Sequence, residues 1–247
     1  MDRMLYVAMS GAKQALEQQA VVANNMANVS TTGFRAQINA FQAVPVLSEE
    51  QAATRAYVVA TTPGADFRPG PLTETGRALD VAVRGEGWLV VQTDGGEAYT
   101  RAGNLQVGPD GQISTMGRPV LGDGGPLAVP PGQALSIAAN GAVTAQSGAG
   151  NPAVGMAEVG RLKLVNPPSA DLVRGDDGLF RLREGAGPAD ADPAVTLATG
   201  VVEGSNVNPV EAMVAMIANA RLFDMHMKAL QTADGNEQAA NKLLAAG

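Results

Sequence analysis

The sequence predicts an α+β chain: N- and C-terminal helices paired in a coiled-coil-like inner domain, with a central antiparallel β domain. Two observations carry this. Apolar residues recur every three or four positions at both ends, the period of a helix face. The middle consists of short apolar or alternating runs divided by Asp-Gly and Asn-Gly pairs, the chemistry of tight hairpins.

Residues 1 to about 28 contain no Pro and one Gly. Leu5, Met9, Ala12, Leu16, Ala23 and Met26 step by four and three, with Gln19 at the one missing place. This approaches the seven-residue repeat of a coiled-coil seam. At the other end Met213, Met216, Ala220, Phe223, Met227 and Leu230 step likewise, before Asp234, Glu237 and Asn241 interrupt the series. Gly235 weakens a helix by ~1 kcal/mol relative to Ala, so the firm helix is expected from about Pro209 to Ala233. Pro209 suits a first helical position, and Asn208 before it is placed to cap the free amides; Asn206 and Asn208 read as a cap first and as an intersubunit contact second. Burial of one helix's apolar side chains does not offset the ordering of its backbone, so each helix needs a packing partner. Apolar residues outside the seam, including Val7, Val21, Val22 and Ile217, predict contacts with further helices, possible sources being other copies of the chain.

Between the helices, runs such as "LDVAVRG", "GWLVVQT", "GRLKLVN" and "GLFRLRE" read as strands, with turns at Asp94-Gly95, Asp110-Gly111, Asp123-Gly124, Asn140-Gly141 and Asp177-Gly178. Four regions follow: a helix and turn over 1–36, an extended connector with little regular structure over 37–79, a β domain over 80–200, and a C-terminal helical region over 201–247.

The stretch "VVANNMANVSTTGFRA" closes the first helix with Asn24, Asn25 and Asn28, then turns through Gly33 to Phe34. In an assembly, amides that must find partners penalise slipped arrangements of otherwise apolar seams. On that reading the three asparagines bond to neighbouring copies, Gly33 permits the turn and Phe34 anchors it against the helix pair. The alternative is that Asn28 only terminates the helix while the other two face solvent.

Composition narrows the function. A net charge of −7 over 247 residues argues against a partner with a phosphate backbone. The absence of cysteine excludes disulfides, cysteine-ligated zinc and thiol catalysis. No apolar run approaches the ~18 residues of a membrane span, and the first residues lack the pattern of a secretory signal, so a cytosolic chain, or export without a cleaved signal, is expected.

Four segments resemble the flagellar rod and hook protein family: "ANNMANVSTTGFRA"; "RALDVAVRGEGWLVVQT…AYTRAGNLQVGPDGQI…GRPVLG"; "GRLKLVNPPSADLVRGDDGLFRL"; and "VVEGSNVNPVEAMVAMIANARLFDMHMKALQTAD". They cover nearly the whole chain in the family's order. "MDRMLYVAMSGA", "FRAQINAFQAVPV" and the short connector favour a proximal-rod member over the distal-rod paralogue, while "TADGNEQAANKLLAAG" departs from the family's smoother tail. The resemblance implies a structural subunit of the flagellar basal body that polymerises with its own copies and with other proximal and distal rod subunits. It further implies delivery by the flagellar type III export apparatus to a rod crossing the periplasm, with no cofactor and no small-molecule substrate. Leu5, Met9, Leu16, Val22, Met26, Met213, Met216, Ile217, Phe223, Met227 and Leu230 are the expected assembly residues. A distal-rod or hook-type paralogue, and a β-domain enzyme or glycan-binding module with dimerising helices, are the competing readings.

Catalytic signals are weak. His226, between two methionines, lacks the companions of a metal or triad site. The glycine-rich runs lack the phosphate-loop Lys-Ser/Thr, and the carboxylates beside glycines follow no calcium-loop spacing.

Overall fold

The computed structural model describes residues 2–39, 41–45, 56–60, 64–129, 133–146, 156–183 and 185–245. The chain is α+β and divides into two compact units. The first takes Met1–Val29, Gln37–Asp66 and Val207–Gly247; the second takes Ser30–Ala36 and Phe67–Asn206. The "TTGFRA" turn thus groups with the β strands rather than with the helices, and the stretch 37–79 is divided between the units.

The first unit is built on α1 (Asp2–Ala27) and α2 (Pro209–Ala245), which pack side by side. α2 runs on past Ala233 to Ala245, through the last turns that the sequence left open. Gln238 Nε2 donates to Asp234 Oδ2 at 3.0 Å, a bond one turn apart that spans Gly235. The helix-forming residues that follow, Ala239 to Ala245, offset the single glycine. Two antiparallel strand pairs complete the unit: Gln37–Ile38 with Gly64–Ala65, and Phe41–Pro45 with Ala56–Ala60. The connector is therefore more regular than its prolines and glycines suggested. "FQAV" and "AYVVA" are β-branched and aromatic enough to pair once brought together.

The second unit is antiparallel throughout. Its largest sheet has five strands in the order Leu164–Val165, Trp88–Thr93, Gly96–Thr100, Phe180–Leu182, Leu172–Arg174. A three-stranded sheet joins Ala134–Ile137, Ala142–Gln146 and Met156–Arg161. Strands Val81–Arg84 and Thr196–Thr199 pair, as do Leu72–Glu74 and Val201–Glu203. The hairpins turn where the Asp-Gly and Asn-Gly pairs stand, and Gly111, Gly141 and Gly178 take φ of 78°, 81° and 79°. One core, including Val81, Leu89, Leu105, Ile113, Val143, Leu162 and Leu197, holds the sheets together.

Candidate assembly interface

Within the helical unit the protected stripes are not those that large apolar residues suggest. On α2 they are Ala212, Met216, Asn219, Phe223, His226, Leu230 and Ala233. On α1 the matching set is Leu5, Ala8, Ala12, Ala15, Gln19, Val22 and Met26, centred on the fully buried Ala12 and Ala15. Strand Ala56–Ala60 covers a further flank of α1. Of the expected assembly residues, Leu5, Val22, Met26, Met216, Phe223 and Leu230 lie on the protected side, whereas Met9, Leu16, Met213, Ile217 and Met227 are exposed. Gly11, Ala8, Ala12 and Ala15 leave room on the α1 face, and the larger Met216, Phe223, His226 and Leu230 fill the α2 face. A Cβ at Gly11 would lie 2.3 to 2.8 Å from three ring atoms of His226, so the imidazole occupies the notch the glycine leaves.

The covalent chain sets the sense of the pair. Asn25, near the end of α1, exchanges two hydrogen bonds with the Gln37 backbone, and the preceding Ala36 N–H donates to Asn206, just before α2. The end of α1 and the start of α2 are therefore neighbours, and the helices are antiparallel. With Gly11 against His226, the stripes align layer on layer: Ala12 with His226, Ala15 with Phe223, Gln19 with Asn219. Outside this seam both helices remain apolar. Tyr6, Val7, Met9 and Leu16 of α1, and Val210, Met213, Val214, Ile217 and Met225 of α2, are exposed. Helices apolar on more than one face belong inside something larger.

The second unit shows what the turn is for. Gly33 has φ +69°, and its N–H donates to the Glu203 carbonyl at 2.7 Å. Its Cα is pressed on the neighbouring backbone: an added Cβ would lie 2.3 Å from Arg101 C and Ala102 N. Phe34 is buried beneath the guanidinium of Arg174, 4.4 Å from the ring centroid. Its anchor is therefore in the β unit, which corrects the expectation of an anchor against the helices. Arg174 also donates to the Arg35 carbonyl, and burial lowers its pKa from the usual arginine value.

Beside Phe34 lies a charge cluster that sequence reading missed. Arg35 Nη2 stands 2.7 Å from Glu203 Oε1, and Arg101 Nη1 stands 3.2 Å from Oε2, with the three side chains 1%, 1% and 5% exposed. Gly70 N–H donates to Oε1 at 2.9 Å. Arg101 also donates to the carbonyls of Val83 and Gly85, at 3.1 and 2.6 Å, and lies 5.4 Å from the Trp88 ring centroid. Desolvation lowers the Arg101 pKa against the opposing attraction of Glu203. Arg35 is close to the carboxylate in charge but misaligned for hydrogen bonding, and its Nε, Nη1 and Nη2 are buried without an aligned acceptor. Two buried guanidinium groups thus share one carboxylate. No spacing rule links residues 35, 101 and 203, so only the fold reveals them.

The asparagines are employed close to home. Asn25 mimics a strand partner for Gln37, with bonds of 2.8 and 2.9 Å. Asn28 Nδ2 donates to the Asn24 carbonyl at 2.9 Å, finishing the helix, and Asn24 is exposed. Asn208 Oδ1 caps α2 by accepting from Val210 and Glu211 N–H at 3.0 and 3.4 Å. Asn206 is a tie rather than a cap: Oδ1 accepts from Ala36 N–H at 2.7 Å and Nδ2 donates to the Arg68 carbonyl at 2.9 Å. Sequence reasoning also left out Asn219 and His226 as seam residues; their heptad spacing with Met216, Phe223 and Leu230 was the available signal.

Among the described residues no cluster of three or more His, Cys, Asp or Glu is placed to hold a metal, and no helix is long and apolar enough to cross a membrane. A cleft of about 230 Å³ is lined by Phe67, Glu86, Trp88, Arg101, Asn166 and Ser169.

Paired terminal helices with apolar outer faces, and a β unit that clamps the segment after α1 and the segment before α2, define a structural subunit of a larger assembly. The chain belongs to the flagellar basal-body rod proteins of the FlgF type, structural components of the flagellar basal body. Three family models match: Flagella basal body rod protein over 5–35, Flagellar hook protein FlgE/F/G D1 domain over 82–145, and Flagellar basal body rod FlgEFG protein C-terminal over 198–243. The chain is 54% identical to flagellar basal-body rod protein FlgF of Salmonella typhimurium (strain LT2) and 52% to that of Escherichia coli (strain K12), over 99% of each chain. It is 32% identical to FlgF of Buchnera aphidicola subsp. Schizaphis graminum, over 98% of each.

Proposed function

We propose that this rod subunit polymerises through its terminal helices, paired as an antiparallel coiled coil, into the proximal part of the rod, a drive shaft that carries torque. The outward apolar residues of both helices are the contact surface toward further copies and toward other proximal and distal rod subunits. Met9, Leu16, Met213, Ile217 and Met227 make these contacts, while Leu5, Val22, Met26, Met216, Phe223 and Leu230 hold the pair that presents them. Asn24, exposed at the end of α1, is the remaining candidate among the asparagines for a bond to a neighbouring copy. The flagellar type III export apparatus delivers the chain, and the rod it joins crosses the periplasm.

The observation that carries this reading is the exposure of Leu16 and Ile217, 54% and 56%, outside the seam that α1 and α2 already share. Such an apolar surface is stable only when covered. Leu16→Glu and Ile217→Glu test it, because neither side chain is in the seam. The expected result is loss of rod assembly and motility while thermal unfolding of the β unit is unchanged. Normal motility in the double variant would sink the proposal.

A further inference from the structure

We infer that Gln19 and Asn219 form an amide layer that fixes the register of α1 against α2, and so decides which side chains the helix pair turns outward. This rests on the coiled-coil pairing proposed above and names the residues that give it its specificity. Gln19 Oε1 and Asn219 Nδ2 are both buried and without a partner, and they are complementary, one an acceptor and the other a donor. They share one layer of the antiparallel seam, eight residues along α1 from the Gly11 notch that holds His226. All other layers between Leu5 and Met26 consist of Ala, Val, Leu, Met or Phe, except the layer of His226 itself.

Small residues bring the helices together but discriminate poorly between registers: Ala15 faces Phe223 when aligned and Leu230 one heptad away, and accommodates either. The amides do discriminate. A slip of one heptad in one direction sets Gln19 against His226 and Asn219 against Met26; the opposite slip sets them against Ala212 and Ala12. Asn219 then faces an apolar side chain in either case, so its buried amide, which makes no hydrogen bond to Gln19 in the aligned register, loses the one layer partner that is itself an amide. A single polar layer specifies register in coiled coils in the same way, at a cost in stability. The slipped pair would also present a different set of outward residues.

The chain lacks cysteine, so engineered pairs report register without background. Ala8→Cys with Leu230→Cys meets in the aligned register, and Ala15→Cys with Leu230→Cys meets after a one-heptad slip. In the full-length chain the aligned disulfide is expected to exceed the slipped one by about tenfold or more. With Gln19→Leu and Asn219→Leu added, the aligned excess should fall several-fold, toward what the Gly11–His226 notch alone sustains, while helix content stays the same or rises. The exchange Gln19→Asn with Asn219→Gln should restore the preference. Undiminished preference in the double leucine chain, or no disulfide of either kind, overturns the inference. The readout is intramolecular, so a failed assembly surface leaves it untouched, and a failed register lock leaves the Leu16 and Ile217 result untouched.

Discussion

The guanidinium of Arg35 lies 2.7 Å from the carboxylate of Glu203, and both side chains are 1% exposed. Glu203 is the node of that site. Its side chain faces Arg35, Arg101 and the Gly70 N–H, and its carbonyl accepts from Gly33. The β unit thereby holds the segment after α1 and the segment before α2 with one residue.

Removing the node should be costly. Glu203→Gln leaves two buried guanidinium groups without a counter-charge, and loss of about 3–5 kcal/mol is expected in denaturant unfolding of the β unit. Arg35→Met leaves the Arg101–Glu203 pair charge-matched and should cost clearly less. Equal losses from the two substitutions would show that the surplus charge is not a factor.

Gly33 is constrained twice, by its positive φ and by the backbone of Arg101 and Ala102. Gly33→Ala should therefore destabilise the β unit by more than ~2 kcal/mol. Gly33→Asn relieves part of the φ penalty but not the collision, and should do no better. Recovery with Asn, read as an unfolding midpoint, would assign the constraint to φ alone.

Gly11 and His226 should be energetically coupled. Gly11→Ala alone gains ~1 kcal/mol of helix propensity but drives a methyl into the imidazole, so its net effect is expected near zero or unfavourable. In the His226→Ala chain the ring is gone, and Gly11→Ala should then stabilise the helical unit by about 1 kcal/mol. A double-mutant cycle on the helix-melting transition measures the difference, and additivity would contradict the packed notch.

Asp177 makes the β unit sensitive to acid. Hydrogen bonds from Arg181 at 2.9 and 2.7 Å, helped by the Leu179 N–H and by Arg118, lower its pKa from 3.8 to about 2. A depressed carboxylate contributes stability that is complete above the unfolded value and is lost as pH falls through the folded one. About 2 kcal/mol should thus disappear between roughly pH 4 and pH 2. Asp177→Asn should flatten stability over that window, which unfolding curves at a series of pH values would show.

Much of this architecture was legible from local rules. A period of three and four needs only neighbouring residues to be seen, and so does the pairing of Asp or Asn with a glycine that takes positive φ, as at Gly111, Gly141 and Gly178. Asn208 is a cap by position alone. The seam was legible only in half. Met216, Phe223 and Leu230 were read on the right face, but Met213, Ala220 and Met227 stood in for Ala212, Asn219 and His226. Pattern reading looks for an apolar residue at each step, whereas the packed seam also takes the polar Asn219 and His226 and the small Ala212.

By itself the sequence determined that two long helices bracket a hairpin-rich β region, because propensity, capping and turn chemistry act over a few residues. Only the tertiary structure decided which helix faces meet, where Phe34 is anchored, and that Arg35, Arg101 and Glu203 share one buried site. Those outcomes depend on the distance between backbones and on the removal of water from charges far apart in the chain. Neither quantity exists until the segments are packed together.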